Sequence, residues 1–317
     1  MSTPSTASST GLAWPALLLE VSRQVRLFML KHRPTGEMPE TGITVHLAYA
    51  VAQACKRAGT GLAFEADIEM AGFGGERKHG ADIELWLSGG GLALRLRLQA
   101  KSLHPAKSAI GKADPYGNYK YLDHFVGGDK DRPQVMQLIK ECPDDRTAGY
   151  IFYNGLAKVP SVTASNACCR DDLWPASFGV NSLGLTYAPA TAFATESARG
   201  SKGFHDVYRL SRPLVCIGTC PLSKTAASGG SAVPSDLLLV LDTALALAQA
   251  GLLIHLVALT KQSIDALPDA LAQVDIEWGD FPDYIQRLRA NGSCGFNEQQ
   301  ERPAGAIISL SLQQEDE

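Results

Sequence analysis

Asp82, Gln99 and Lys101 are the residues of this chain whose types and spacing point to chemistry. A carboxylate can hold a divalent cation, and an amide oxygen can add a second ligand. An ammonium group can guide a water or offset developing charge. Together they could hold a divalent metal and a water. Two runs that alternate polar and apolar residues, Ala81 to Leu87 and Leu92 to Lys101, flank Ser88-Gly89-Gly90-Gly91 and predict a β-hairpin. Strand side chains repeat every two residues. Ile83, Leu85 and Leu87 then share one face with Leu94, Leu96 and Leu98. Asp82 and Glu84 share the other with Arg95, Arg97, Gln99 and Lys101. The same alternation also describes a plain half-buried hairpin, in which Glu84 pairs across the strands with Arg95 or Arg97.

The segment after the hairpin is rich in cations and tyrosines. Between positions 95 and 120 stand Arg95, Arg97, Lys101, Lys107, Lys112 and Lys120, against Asp114 as the one acid. A basic strip beside the candidate site suits a phosphate backbone. The alternative is a solvated loop whose charge is offset elsewhere. Tyr116, Tyr119 and Tyr121 are candidates for stacking on unpaired bases, with core packing as the competing role. His104, just past the strand, is a candidate phosphate contact or an ordinary surface histidine.

Gly80-Ala81-Asp82 followed by Gln99-Ala100-Lys101 resembles the PD-(D/E)xK superfamily of restriction-endonuclease-like nucleases. Gln99 in place of an acid resembles the Mrr-type variant. Tyr121-Leu122, Gln134-Val135-Met136-Gln137-Leu138 and Gly149-Tyr150-Ile151-Phe152-Tyr153-Asn154 resemble a bacterial family of that superfamily. Its pattern runs Glu…Gly-Ala-Asp…Gln-Ala-Lys…Tyr…Gln…Tyr-x-x-Tyr. The resemblance covers residues 40 to 154. It implies a Mg²⁺-dependent endonuclease, with Mn²⁺ as a substitute, that hydrolyses DNA, or as a second choice RNA, in bacterial defence. It implies Asp82, Gln99 and the Ala100 carbonyl as metal ligands and Lys101 as the group that orients the attacking water. Arg95, Arg97, Lys107, Lys112, Tyr116 and Lys120 would meet the nucleic acid. The family also needs a glutamate from a helix before the sheet. Glu40 is the first candidate, with Glu65 and Glu76 competing. A nuclease fold with an inactive site, kept as a binding module, is the alternative, favoured by Gln99 and by the acidic net charge.

Those residues need a scaffold. Leu17, Leu18, Val21, Val25, Phe28 and Met29 predict an amphipathic helix over 14–32, which Pro34 to Pro39 ends. Thr41 is placed to cap a second helix from Ile43 to Ala58. Strands are predicted over 62–70, in the hairpin, over 149–154, near 183–188 and near 213–218. A helix starts at Pro133 and runs to Cys142. A buried helix and strand fill 236–259, and a helix follows near 263–273. The order predicts an α/β fold, a central mixed sheet flanked by helices. The division expected is a tail and helix over 1–39, a nuclease-like core over 40–155 and a C-terminal α/β extension over 156–317. That extension either continues the sheet or stands alone, and its apolar content makes a homo-oligomer an option.

The chain has 317 residues, 45% hydrophobic and 20% charged, with a net charge of -4. These values fit a globular protein and exclude an overall cationic field for nucleic acid. Seven cysteines and no cationic leader point to a reducing cytoplasm. Cys216-x-x-x-Cys220 with Cys168-Cys169 is a poor match to zinc spacing. Asp236, Asp242, Gln249 and Gly251 break the most apolar stretch, so no membrane span is expected. Residues 106–113 imitate a phosphate-binding loop, but Ala106 and Ala113 occupy the positions that need glycine and a hydroxyl.

Overall fold

The computed structural model describes residues 10–32, 39–57, 62–70, 81–104, 115–119, 122, 133–141, 148–158, 179–194, 202–215, 240, 244, 255–259, 276–278, 280–295, 304 and 306–314. Two helices come first, α1 (Thr10–His32) and α2 (Glu40–Arg57). Leu17, Leu18, Val21, Val25 and Met29 form the buried stripe of α1. Ile43, Leu47, Val51 and Ala54 form that of α2. The second helix begins at Glu40, three residues before the start predicted from Thr41. The Pro39 carbonyl accepts from the Gly42 N–H at 3.0 Å, so Pro39 marks the boundary and Glu40 enters the first turn. There its carboxylate meets the positive end of the helix dipole.

Strands β1 (Leu62–Met70), β2 (Ile83–Gly89) and β3 (Leu92–His104) follow. Then come β4 (Asn118–Tyr119), α3 (Gln134–Glu141), β5 (Ala148–Tyr153) and β6 (Leu185–Pro189). After them lie β7 (Lys202–Gly203), α4 (Phe204–Leu210) and β8 (Arg212–Pro213). The last described elements are β9 (His255–Ala258), β10 (Ile276–Trp278), α5 (Asp283–Asn291) and β11 (Ala306–Gln314). Val240 and Ala244 are helical, as expected for 236–250. The helix predicted near 263–273 lies outside the described residues.

The strand order is β1-β11-β2-β3-β5-β6-β8. Strand β9 pairs with the first half of β3 and β10 pairs with β9, so that among the described residues nine strands form one open, mixed sheet. The pair β4 and β7 forms a short second ladder on the end of β3. The protein is therefore an α/β fold with a mixed sheet flanked by helices. Strands from both halves of the chain share hydrogen bonds in it. Strand β11, not expected from the sequence, lies between β1 and β2, antiparallel to the first and parallel to the second.

The hairpin has the predicted faces, and its register sets them against each other. Ile83 faces Leu98, Glu84 faces Arg97 and Trp86 faces Arg95. Gly90 and Gly91 form its turn with φ of 55° and 78°. Two consecutive positive φ values match the right-handed twist of the strands, and glycine adopts them without steric cost. The leucine face packs on α1 and α2 in the main core. The opposite face is covered at its two ends by different elements. At one end Trp86, Ala93 and Ile307 pack on Ile285 and Leu288 of α5. At the other, Tyr150 and Phe152 pack with Val135 and Leu138 of α3 and with Phe193 and Phe204.

Candidate active site

Strand β3 is thirteen residues long, and its edges change partners along its length. Residues 92–95 pair with β9, and residues 97–102 run parallel to β5. Gln99, Ala100 and Lys101 lie in the second stretch, buried between neighbouring strands. Gln99 is 2% exposed and Lys101 4%. Asp82 sits at the bend before β2, held there as its N–H donates to the Leu98 carbonyl at 3.0 Å. This places its carboxylate beside β3. The Ala100 N–H donates to Asp82 Oδ2 at 2.7 Å, and Gln99 Nε2 donates to the same oxygen. Gln99 Nε2 is also 3.4 Å from the Ala100 carbonyl oxygen.

Glu40 reaches the site from the first turn of α2. Its Oε1 accepts from the Ser102 N–H at 3.0 Å, and its Oε2 lies 3.8 Å from Lys101 Nζ. Behind it, Thr44 Oγ1 donates to the Glu40 carbonyl at 3.1 Å and meets the Tyr153 hydroxyl at 2.9 Å. Burial, followed by the negative charges of Asp82 and Glu40, pushes the Tyr153 hydroxyl far above the usual phenol range, although its bond with Thr44 works the other way. Asp82, Gln99, Lys101 and Glu40 thus converge on one end of the sheet. The side chain of Glu65 and the whole of Glu76 lie outside the described residues.

Gln134, which stands in the Gln-Val-Met-Gln-Leu segment of the resemblance without an expected role, also belongs to the site. It opens α3, where Pro133 starts the helix and its carbonyl accepts from the Met136 and Gln137 N–H groups. Gln134 Nε2 donates to Gln99 Oε1 at 2.8 Å. Its Oε1 accepts from Lys101 Nζ at 3.3 Å. The signal was present in the resemblance, where a glutamine follows the Gln-Ala-Lys strand.

Arg95 and Arg97 require a correction. Both turn onto Glu84, which is fully buried. Arg97 Nε lies 2.9 Å and Arg95 Nη2 3.1 Å from Glu84 Oε2. Trp86 Nε1 donates to Oε1 at 2.8 Å, and the Tyr284 hydroxyl donates to it as well. Burial alone would raise the Glu84 carboxyl. Arg95 and Arg97, with the two hydrogen bonds, outweigh it and hold the group below the ordinary carboxylate range. The pairing weighed as the plain role of Glu84 is present here, and the two arginines are removed from the strip expected to meet phosphate. Tyr119 is core, 1% exposed, with its hydroxyl donating to Asn154 Oδ1. Tyr116 packs on Phe204 and His205. The Ser102 hydroxyl lies 3.4 Å from His104 Nε2. Lys107, Lys112, Lys120 and Tyr121 lie outside the described residues, as do Cys168, Cys169, Cys216 and Cys220.

A family profile matches residues 16–315, from α1 through β11. The chain belongs to DUF6615, a family of unknown function. The family match of this DUF6615 chain spans both halves, whereas the resemblance to nucleases is carried by residues 40 to 154. Comparison with curated proteins and with solved structures finds no match. Among the described residues no three His, Cys, Asp or Glu side chains gather closely enough to hold a metal. Beside Glu40, which is engaged by the Ser102 N–H and Lys101, the oxygen donors in the DUF6615 site are the carboxylate of Asp82, the Ala100 carbonyl and the amide of Gln99. All are hard ligands of the kind Mg²⁺ accepts, with water and substrate completing its shell. They suit such a cation once Gln99 turns its oxygen, rather than its nitrogen, toward Asp82. No described helix is long and apolar enough to cross a membrane.

Proposed function

We propose that this protein is a metal-dependent nuclease that hydrolyses phosphodiester bonds, with DNA as the preferred substrate. The observation that carries the reading is the convergence of Asp82, Gln99, Lys101 and Glu40 from three separate elements. Scattered polar residues on a hairpin do not require a helix N-terminus to deliver a glutamate beside a buried lysine. Asp82, the Ala100 carbonyl and Gln99 Oε1 would hold Mg²⁺, or Mn²⁺ in its place. The bound cation would neutralise charge on the scissile phosphate and make a water more acidic. Lys101 would orient that water and offset negative charge at the attacked phosphorus. Glu40 holds Lys101 in place from 3.8 Å and anchors itself to the Ser102 amide. Tyr153 and Thr44 fix the turn that carries Glu40.

A second reading has an observation of its own. Gln99 Nε2 already faces Asp82, as in a site closed to cations. A nuclease fold that binds nucleic acid without cutting it would have this arrangement. One experiment separates the two. Supercoiled plasmid is incubated with the protein in Mg²⁺ and in EDTA, and binding to the same DNA is followed by gel shift. Nicking or linearisation in Mg²⁺ that EDTA abolishes supports the nuclease. A shift without cutting supports the binding module. Neither cutting nor a shift removes both.

A further inference from the structure

The side chains between Asp82 and Lys101 form a chain of hydrogen bonds with a fixed direction. An ammonium group only donates, and an ionised carboxylate only accepts. Lys101 Nζ donates to Gln134 Oε1 at 3.3 Å. Gln134 Nε2 donates to Gln99 Oε1 at 2.8 Å. Gln99 Nε2 then donates to Asp82 Oδ2 and leans toward the Ala100 carbonyl at 3.4 Å. Each amide has its nitrogen toward Asp82 and its oxygen toward Lys101. Turning either amide alone would set two donors or two acceptors against each other, so the ends of the chain determine both orientations.

Resting on the nuclease reading, we propose that Gln134 is a positioning residue for the cation seat. It holds the Gln99 NH₂ group between the two oxygens, Asp82 Oδ2 and the Ala100 carbonyl, that would otherwise face a cation. The NH₂ group, carrying partial positive charge, stands in for that cation. Exchanging it for Mg²⁺ requires the Gln99 oxygen to turn toward Asp82. The Gln99 NH₂ then faces Gln134, whose amide must turn as well. The Gln134 NH₂ would then confront the Lys101 ammonium, donor against donor, so Lys101 leaves Gln134. Filling the seat and releasing Lys101 are one linked event. Until the Gln99 amide turns, Lys101 stays on Gln134.

The test uses the full chain. Mg²⁺ is titrated into the natural protein and into Gln134→Met by calorimetry, and side-chain amide signals are followed by ¹H–¹⁵N spectroscopy. Methionine keeps the volume and removes the hydrogen bond to Gln99 without adding charge. Gln134→Met should bind Mg²⁺ about 3- to 10-fold more tightly, the equivalent of one neutral hydrogen bond. In the natural protein the amide signals of Gln99 and Gln134 should shift together with the same Mg²⁺ midpoint. Equal or weaker affinity in folded Gln134→Met overturns the relay. So do Gln134 signals that stay still while Mg²⁺ binds, a result that needs no variant. Both outcomes leave the metal reading standing. If neither protein takes up Mg²⁺, the relay and the reading fail together.

Discussion

Two carboxylates, Asp82 and Glu84, stand on the same face of one hairpin and have opposite surroundings. Glu84 is sealed under α5 and accepts hydrogen bonds from Arg95, Arg97, Trp86 and Tyr284. Its charge is matched and its lone pairs are taken, which is what a buried carboxylate needs to remain ionised. Asp82 stands half-buried at the end covered by α3 and α2. The Ala100 N–H and the Gln99 amide, both neutral, donate to it. The nearby cation, Lys101, is directed at Gln134 and Glu40 instead. The comparison teaches that polarity on a strand face does not mark a site. What distinguishes the Asp82 end is a carboxylate that accepts from a backbone N–H and an amide, with a buried lysine and a second carboxylate from another element beside it.

The contrast can be broken at either end. The largest effect is expected at Lys101. Lys101→Ala should lower cleavage by about 10²- to 10⁴-fold, the range for a group that manages a proton or orients a nucleophile. Its thermal midpoint should stay close to that of the natural protein or rise, since a buried cation is lost. Circular dichroism melts beside the nicking assay check both halves of the statement.

Glu84→Ala should act in the opposite sense. It leaves two arginines buried without their carboxylate, at a cost of about 3–5 kcal/mol in urea unfolding. The protein that remains folded should bind Mg²⁺ as before. The same group gives a pH signature. A carboxyl whose folded pKa lies below its unfolded value of about 4.3 stabilises fully above that value. The stabilisation is lost as pH falls through the folded value. The natural protein should therefore lose stability on acidification in that range, and Glu84→Gln should show a shallower loss.

The smallest effect sharpens the comparison. Gln99→Glu replaces a neutral ligand by a charged one, so Mg²⁺ affinity should rise roughly tenfold, or about 1.4 kcal/mol. Calorimetry reads it directly. Unchanged affinity would mean that position 99 does not face the cation.

The hairpin, its turn and the pairing of its leucine faces were legible because their cause is local. Period-two alternation and two glycines specify them within about twenty residues. The α/β class followed from the order of elements. Glu40 was legible only as one of three glutamates, because what selects it is the Ser102 amide 62 positions away. The fate of Arg95 and Arg97 was hidden for the same reason. Alternation places both near Glu84 and Gln99 alike, and Tyr284, 200 positions from Glu84, closes one end and not the other. Strand β11 has a readable Leu-Ser-Leu rhythm, yet its partners β1 and β2 belong to the first third of the chain. Gln134 was legible only as the glutamine that follows the Gln-Ala-Lys strand in the resemblance, with no role attached. Only the fold brings it against Gln99 and Lys101.

The most direct test is a crossed measurement on two variants made side by side. Mg²⁺-dependent DNA cleavage and unfolding free energy are determined for Lys101→Ala and Glu84→Ala. The account predicts that Lys101→Ala loses cleavage and keeps stability, while Glu84→Ala loses stability and keeps cleavage per folded molecule. Cleavage surviving in folded Lys101→Ala, or cleavage lost in folded Glu84→Ala to the same degree, would contradict it.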